Sequence, residues 1–240
     1  MDNKYSGYTQ SAAFSFLDDA WEIALAKEHF ATSLLPLFPD DKASRILDVG
    51  CGYGKNLIAL QEAGFTDLKG VDISPDQVEY ARTEMHLSCV EEADGLAWLT
   101  GNTQPFDCIL LVDILEHLST DDLFRLAELL SKNLTPGGRV IVQVPNDFAP
   151  LNPAQAGDLT HQRAFTTQSL RQFFVSAGLG GGEFHKPKRI GGRFGKVVRR
   201  GLIDPLIDTF LKIVYHVLYG KPPTPLLFSS NIIGVARKSF

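Results

Sequence analysis

From Ser44 onward, short apolar, β-branched runs alternate with stretches whose apolar residues recur every three or four positions. The runs are RILDVG, LKGVDI, LSCVEEA, FDCILLVD and GRVIVQVP, with a further strand predicted over 183–190 and a last one at NIIGVARK. Near-continuous apolar strands between amphipathic helices predict a seven-stranded, mostly parallel α/β sheet, because each parallel crossover lays a helix on the sheet and buries both faces. The helix SPDQVEYARTEM has Ser74 as its N-cap, Pro75 at its first position and Asp76 in its first turn. STDDLFRLAELLSKN puts Leu123, Leu126, Leu129 and Leu130 on one face, and the Pro-Gly-Gly that follows is expected to stop it. Another helix is predicted from Thr166 to Ala177.

Two parts fall outside this alternation. Residues 9–37 read as an amphipathic helical region carrying Phe14, Phe16, Leu17, Trp21, Ile23, Leu25 and Phe30, suited to lie across the sheet or to lid a site. About 40 residues separate the sixth strand from the last, far more than an ordinary connection. The expected organisation is an N-terminal helical lid over 1–40, a core over 41–190, a helical insertion over 191–229 and a final core strand over 230–240.

Composition narrows the function classes. The 240 residues, 44% of them hydrophobic, suffice for a full core, and a formal charge of −5 argues against a surface built to grip nucleic acid. The three cysteines, Cys51, Cys89 and Cys108, have no framework spacing and read as reduced thiols. MDNKYSGYTQ has no basic segment followed by an apolar one, so a cytoplasmic protein is expected.

The candidate chemistry begins at RILDVGCGYGKNL, an apolar strand, a glycine-rich turn and a helix start, which is the plan of a nucleotide site at a strand's carboxyl end. Gly50, Gly52 and Gly54 depart from the dinucleotide spacing, whose third glycine position is here Lys55. Asp48, just before the turn, would repel a pyrophosphate and attract an ammonium. S-adenosylmethionine meets these demands, having no phosphate, a sulfonium and an amino-acid tail. Asp72, with Ile73 beside it, stands where a ribose acceptor is needed, and Asp94 with Gly95 where the adenine is.

With these motifs in order, the chain resembles the class I S-adenosylmethionine-dependent methyltransferases over about residues 40–190. LDVGCGYG looks like their cofactor loop, GVDIS their ribose-binding acid, ADGL their adenine contact, FDCILLVDILEHL their fourth strand and exit, and LTPGGRVIVQVPN the turn into their fifth. The resemblance implies a Rossmann-like sheet and a cofactor set of Asp48, Gly50, Gly52, Gly54, Asp72, Ile73, Asp94, Gly95 and Asp113.

Methyl transfer to a hydroxyl needs a base or a metal to deal with its proton. Two stretches at strand exits offer one: DILEH, with Asp113, Glu116 and His117 on one helical turn, and GDLTHQRAFT, with Asp158, His161 and Arg163. His161 or His117 as a metal-free base is the favoured reading. The alternative is a divalent ion held by Asp113, Glu116, His117 and His161, which is similar to the metal site of small-RNA 2′-O-methyltransferases and ubiquinone-pathway O-methyltransferases, with Asp113 the shorter arm. Arg163 is read as pairing with Asp158 or with a substrate anion. The run GDLTHQRAFTTQSLRQFFVSAGL and the insertion after it resemble methyltransferases associated with bacterial surface-polysaccharide and glycolipid biosynthesis. That implies O-methylation of a sugar or similar hydroxyl. The alternatives are O- or N-methylation of a small secondary metabolite, and a non-catalytic cofactor-binding interaction protein.

Lys186, Lys188, Arg189, Arg193, Lys196, Arg199 and Arg200 crowd one segment of this acidic chain, ahead of a helix expected to run from Asp204 and Pro205 to Gly220. Its apolar face, including Leu206, Phe210, Val214 and Leu218, is expected to pack on the core or on a twin subunit; the other reading is peripheral membrane contact through 186–218.

Overall fold

The computed structural model describes residues 20–188 and 203–239. The elements are α1 (Ala20–His29), β1 (Arg45–Val49), α2 (Lys55–Glu62), β2 (Asp67–Asp72), α3 (Pro75–Thr83), β3 (Val90–Glu92), α4 (Gly95–Gly101), β4 (Phe106–Val112), α5 (Thr120–Asn133), β5 (Leu134–Pro145), α6 (Pro153–Ala156), α7 (Thr167–Ser176), β6 (Glu183–His185), α8 (Asp204–Tyr219) and β7 (Asn231–Arg237). They form the expected seven-stranded sheet in the order β3-β2-β1-β4-β5-β7-β6, parallel except where β7 runs against β5 and β6. The order reverses beside β1, leaving a crevice between the exits of β1 and β4.

Strand alternation divides the core between the two faces. Leu47, Ile109, Leu111, Val140 and Val142 pack with Leu126 and Leu130 of α5 and Leu170 and Phe174 of α7. Their neighbours Ile46, Cys108, Leu110 and Ile141 face the other way, onto Phe30, Leu34, Phe38 and Phe65. The segment after α1, a π-turn (Phe30–Leu34) and a 3-10 turn (Leu35–Leu37), therefore lies across the sheet. Phe14, Phe16 and Leu17 lie outside the described residues.

Three details depart from expectation. Helix α5 ends at Asn133, before Pro-Gly-Gly, because β5 already starts at Leu134; the register jumps from Phe106↔Leu134 to Cys108↔Arg139, and residues 135–138 bulge out of the ladder with Gly137 at φ 76°. Strand β6 stops at His185, short of the expected 190, and Arg189, Arg193, Lys196, Arg199 and Arg200 lie outside the described residues. Helix α8 spans the expected residues but does not pack on the core: none of its residues is buried.

Candidate functional site

The turn after β1 is folded back on β2 by Gly50 and Cys51, whose backbone N–H groups both donate to the Val71 carbonyl at 2.7 and 3.1 Å. Gly50 has φ +71°, and a Cβ there would lie 2.0 Å from Ile114 Cδ1, so only glycine lets this backbone pass so close to the β4 exit. At the end of β2, Asp72 Oδ2 accepts the Gly52 N–H at 2.7 Å and Oδ1 accepts the Ser74 N–H at 2.8 Å. The carboxylate thus braces the loop while lining the cavity. Burial pushes its pKa above the ordinary carboxylate value, partly offset by those N–H donors. Asp94 caps α4 through the Ala97 N–H at 2.8 Å.

Gly50, Gly52, Asp72, Ile73, Asp94, Gly95 and Asp113 all line one cavity of about 570 Å³ over the crevice, a volume suited to a nucleoside-sized ligand. Its walls carry four carboxylates, Asp72, Asp94, Asp113 and Asp122, against one ammonium residue, Lys55. Such a lining favours a cationic ligand and repels a diphosphate, so the residues present fit S-adenosylmethionine.

Two members of the expected cofactor set lie elsewhere. Asp48 is fully buried beneath the loop and does not reach the cavity; its Oδ2 accepts from Asn56 Nδ2 at 3.4 Å, its Oδ1 has no hydrogen-bond partner, and burial lifts its carboxyl to about 7. The strand's alternation aims it inward. Gly54 is also absent from the lining: it is the N-cap of α2 at φ +85°, where a Cβ would meet Leu87 Cδ1 at 2.1 Å. Its glycine serves packing.

The two polar stretches do meet. Gln162 donates from its backbone to the Glu116 carbonyl at 2.8 Å and from Nε2 to the His117 carbonyl at 2.7 Å, docking GDLTHQ onto the short 3-10 turn Leu115–His117. The His117 and His161 rings meet edge to face at 4.7 Å. Thr160 Oγ1 donates to Asp158 Oδ1 at 2.6 Å, so its oxygen accepts from His117 Nδ1–H at 2.9 Å. That network holds His117 in the tautomer whose Nε2 carries the lone pair. Burial, then neighbouring His161, holds the His117 pKa below its ordinary value, keeping it neutral. His117 and Gln162 line the cavity; His161 does not.

Behind them, Glu116 is fully buried with both carboxylate oxygens unpartnered, and burial, then the Asp113 charge, lifts it to about 8. Glu116, His117 and His161 each bring one ligand atom within 4.8 Å of the others. Asp113 stands outside that group, since it sits at φ 56° with its carboxylate turned to Gln143 Nε2 at 3.3 and 3.4 Å. His161 Nε2 and Glu116 Oε1 are 3.9 Å apart, whereas ligands at ~2.1 Å from a tetrahedral ion would stand about 3.4 Å apart, so holding one would require contraction.

Gln143 continues the chain: its Oε1 meets His29 Nε2 at 2.7 Å, linking the N-terminal helix to Asp113. Arg163 donates to Thr120 Oγ1 at 3.1 Å. His29 and Gln143 are separated by 114 positions, and no local pattern pairs them. Thr160, by contrast, lies inside the polar run already singled out.

Comparison with known proteins agrees with this geometry. A family model described as a methyltransferase domain matches residues 23–180. The chain is 34% identical over 97 residues to the ribosomal protein L11 methyltransferase of Laribacter hongkongensis, covering 40% of this chain and 31% of that one. It is 33% identical over 105 residues to the ubiquinone biosynthesis O-methyltransferase of a Chelativorans species, covering 42% and 40%. The chain thus spans only about a third to two-fifths of the length of these two relatives. Among solved structures, a SAM dependent methyltransferase from Archaeoglobus fulgidus superposes with a TM-score of 0.68 at 19% identity, covering 98% of this chain and 100% of that one. The glycine turn, the acid at the end of β2, the acidic cavity and the match over residues 23–180 together place this chain in the methyltransferase domain family, with the fold of the S-adenosylmethionine-dependent methyltransferases.

Proposed function

We propose that the chain is an S-adenosylmethionine-dependent O-methyltransferase acting on a hydroxyl of a sugar or similar polyol, with His117 as the base. The observation that carries this reading is the Asp158–Thr160–His117 chain at the wall of the cavity, which presents a neutral imidazole with a free Nε2 lone pair. When bound, S-adenosylmethionine would supply the methyl group as an electrophile, its methyl–sulfur bond breaking to leave S-adenosylhomocysteine. The protein's part is alignment, exclusion of water and removal of the hydroxyl proton, which passes to His117 Nε2 as the acceptor oxygen takes the methyl group. Asp158, through Thr160, stabilises the imidazolium that results. His161 packs against the ring as a positioning residue, and no metal enters the step.

The acidic lining supports an uncharged acceptor over a carboxylate, and Asp122 and the Gln162 side-chain amide, which line the same cavity, offer acceptors and a donor to hydroxyls. His117→Ala should lower kcat by about 10²- to 10⁴-fold while leaving the affinity for S-adenosylhomocysteine nearly unchanged, and chelators should have no effect. The check is a radiolabelled methyl-transfer screen over sugars, small phenols and amines, with mass spectrometry of the product. Activity lost to a chelator and restored by a divalent ion would replace the base with a metal at Glu116, His117 and His161; a methylated amine would replace the acceptor class.

A further inference from the structure

Helix α8 carries its apolar side chains outward. None of its residues is buried, and Leu206, Phe210, Val217 and Leu218 are 61, 64, 77 and 64% exposed. At about 100° per residue these positions fall, with Ile207 and Ile213, on one broad arc. The half-buried stripe is instead Asp204, Asp208, Leu211 and Tyr215, spaced four, three and four apart. That stripe holds the helix to the body: Asp208 pairs with Lys186, and Tyr215 meets Phe148 edge to face at 5.7 Å. Phe148 follows the exit of β5, and its N–H donates to Asn146 Oδ1 at 3.1 Å, so the helix is anchored at the sheet's ligand-binding edge. The orientation is set by contacts of the polar flank, and the apolar arc is left with no cover from the described residues.

We propose that this face of α8 docks on an anionic lipid bilayer, the helix lying in the plane of the interface. No described helix is long and apolar enough to cross a membrane, which leaves an interfacial pose. Charge selects the bilayer over a second copy of the chain. Between positions 186 and 203, the stretch that leads into α8 along the chain, the sequence has seven lysines and arginines and no acid, although the net charge of the whole chain is −5. A second copy brings the same basic run with it, whereas anionic headgroups neutralise that run. The inference does not depend on which acceptor is methylated.

Co-sedimentation of the full chain with phosphatidylcholine vesicles, alone or with about a third phosphatidylglycerol, tests it. Binding to the anionic vesicles should be at least about tenfold stronger and should fall by about tenfold between 0.1 and 0.5 M salt, as screening requires. The triple substitution Leu206→Gln, Phe210→Gln, Val217→Gln should abolish binding while its titration with S-adenosylhomocysteine matches that of the unaltered chain, which separates lost docking from lost folding. Equal binding to neutral vesicles, no binding, insensitivity to salt, or a dimer in sedimentation velocity that the triple variant disperses would each overturn the proposal.

Discussion

Asp48 and Asp72 stand at the carboxyl ends of adjacent strands, and their environments assign them different work. Asp72 lines the cavity and accepts backbone N–H groups, whereas Asp48, buried beneath the loop, is lifted to about 7 from an ordinary 3.8. Because the folded form of Asp48 retains its proton where the unfolded chain has released it, its contribution to stability should decline as pH rises from about 4 to 7 and then level off. Asp48→Asn should make that decline shallower in denaturant titrations; a remainder persists, since Glu116, lifted to about 8, contributes over a similar window. Parallel pH curves for the two proteins would contradict this account. At Gly50 the sign is steric: alanine would meet Ile114 at 2.0 Å in a left-handed backbone, so Gly50→Ala should weaken S-adenosylhomocysteine binding by tenfold or more, about 1.4 kcal/mol, in calorimetry.

Among the elements, β5 joins the site to the rest of the molecule. Its exit residue Asn146 is fully buried and donates from Nδ2 to the Leu227 and Ser229 carbonyls at 2.6 and 2.7 Å, tying the loop before β7 to the carboxyl end of β5. Asn146→Ala would leave those carbonyls unpaired and should cost on the order of 1–3 kcal/mol in denaturant unfolding; a loss within about 0.5 kcal/mol would mean that water replaces the amide. The strands and most helix bounds were legible in the sequence because apolar period and caps are local signals. Ser119, for example, caps α5 as its polar start implies. The bulge at 135–138 was not legible, because Pro-Gly-Gly reads equally as a helix stop. Nor was the inward aim of Asp48, which depends on the register of β1. His29 joins Gln143 only through the way α1 crosses the sheet, and its partner could be found only in three dimensions.

At the scale of the molecule, charge is partitioned. The cavity is acidic, the segment after β6 is basic, and α8 between them and β7 turns its apolar arc to solvent. The family resemblance carried the cofactor reading because its motifs sit at strand exits, where this fold converges. The acceptor reading rests on side chains from β4 and β5 exits that no single motif spans. The cofactor claim underlies all the rest, and calorimetric titration of the folded protein with S-adenosylhomocysteine tests it most directly. The account predicts one site of micromolar-scale affinity, weakened about tenfold or more by Asp72→Ala, as loss of a hydrogen bond to a charged group implies. No heat with the folded chain, an affinity indifferent to Asp72→Ala, or preferential binding of a nicotinamide dinucleotide would contradict it.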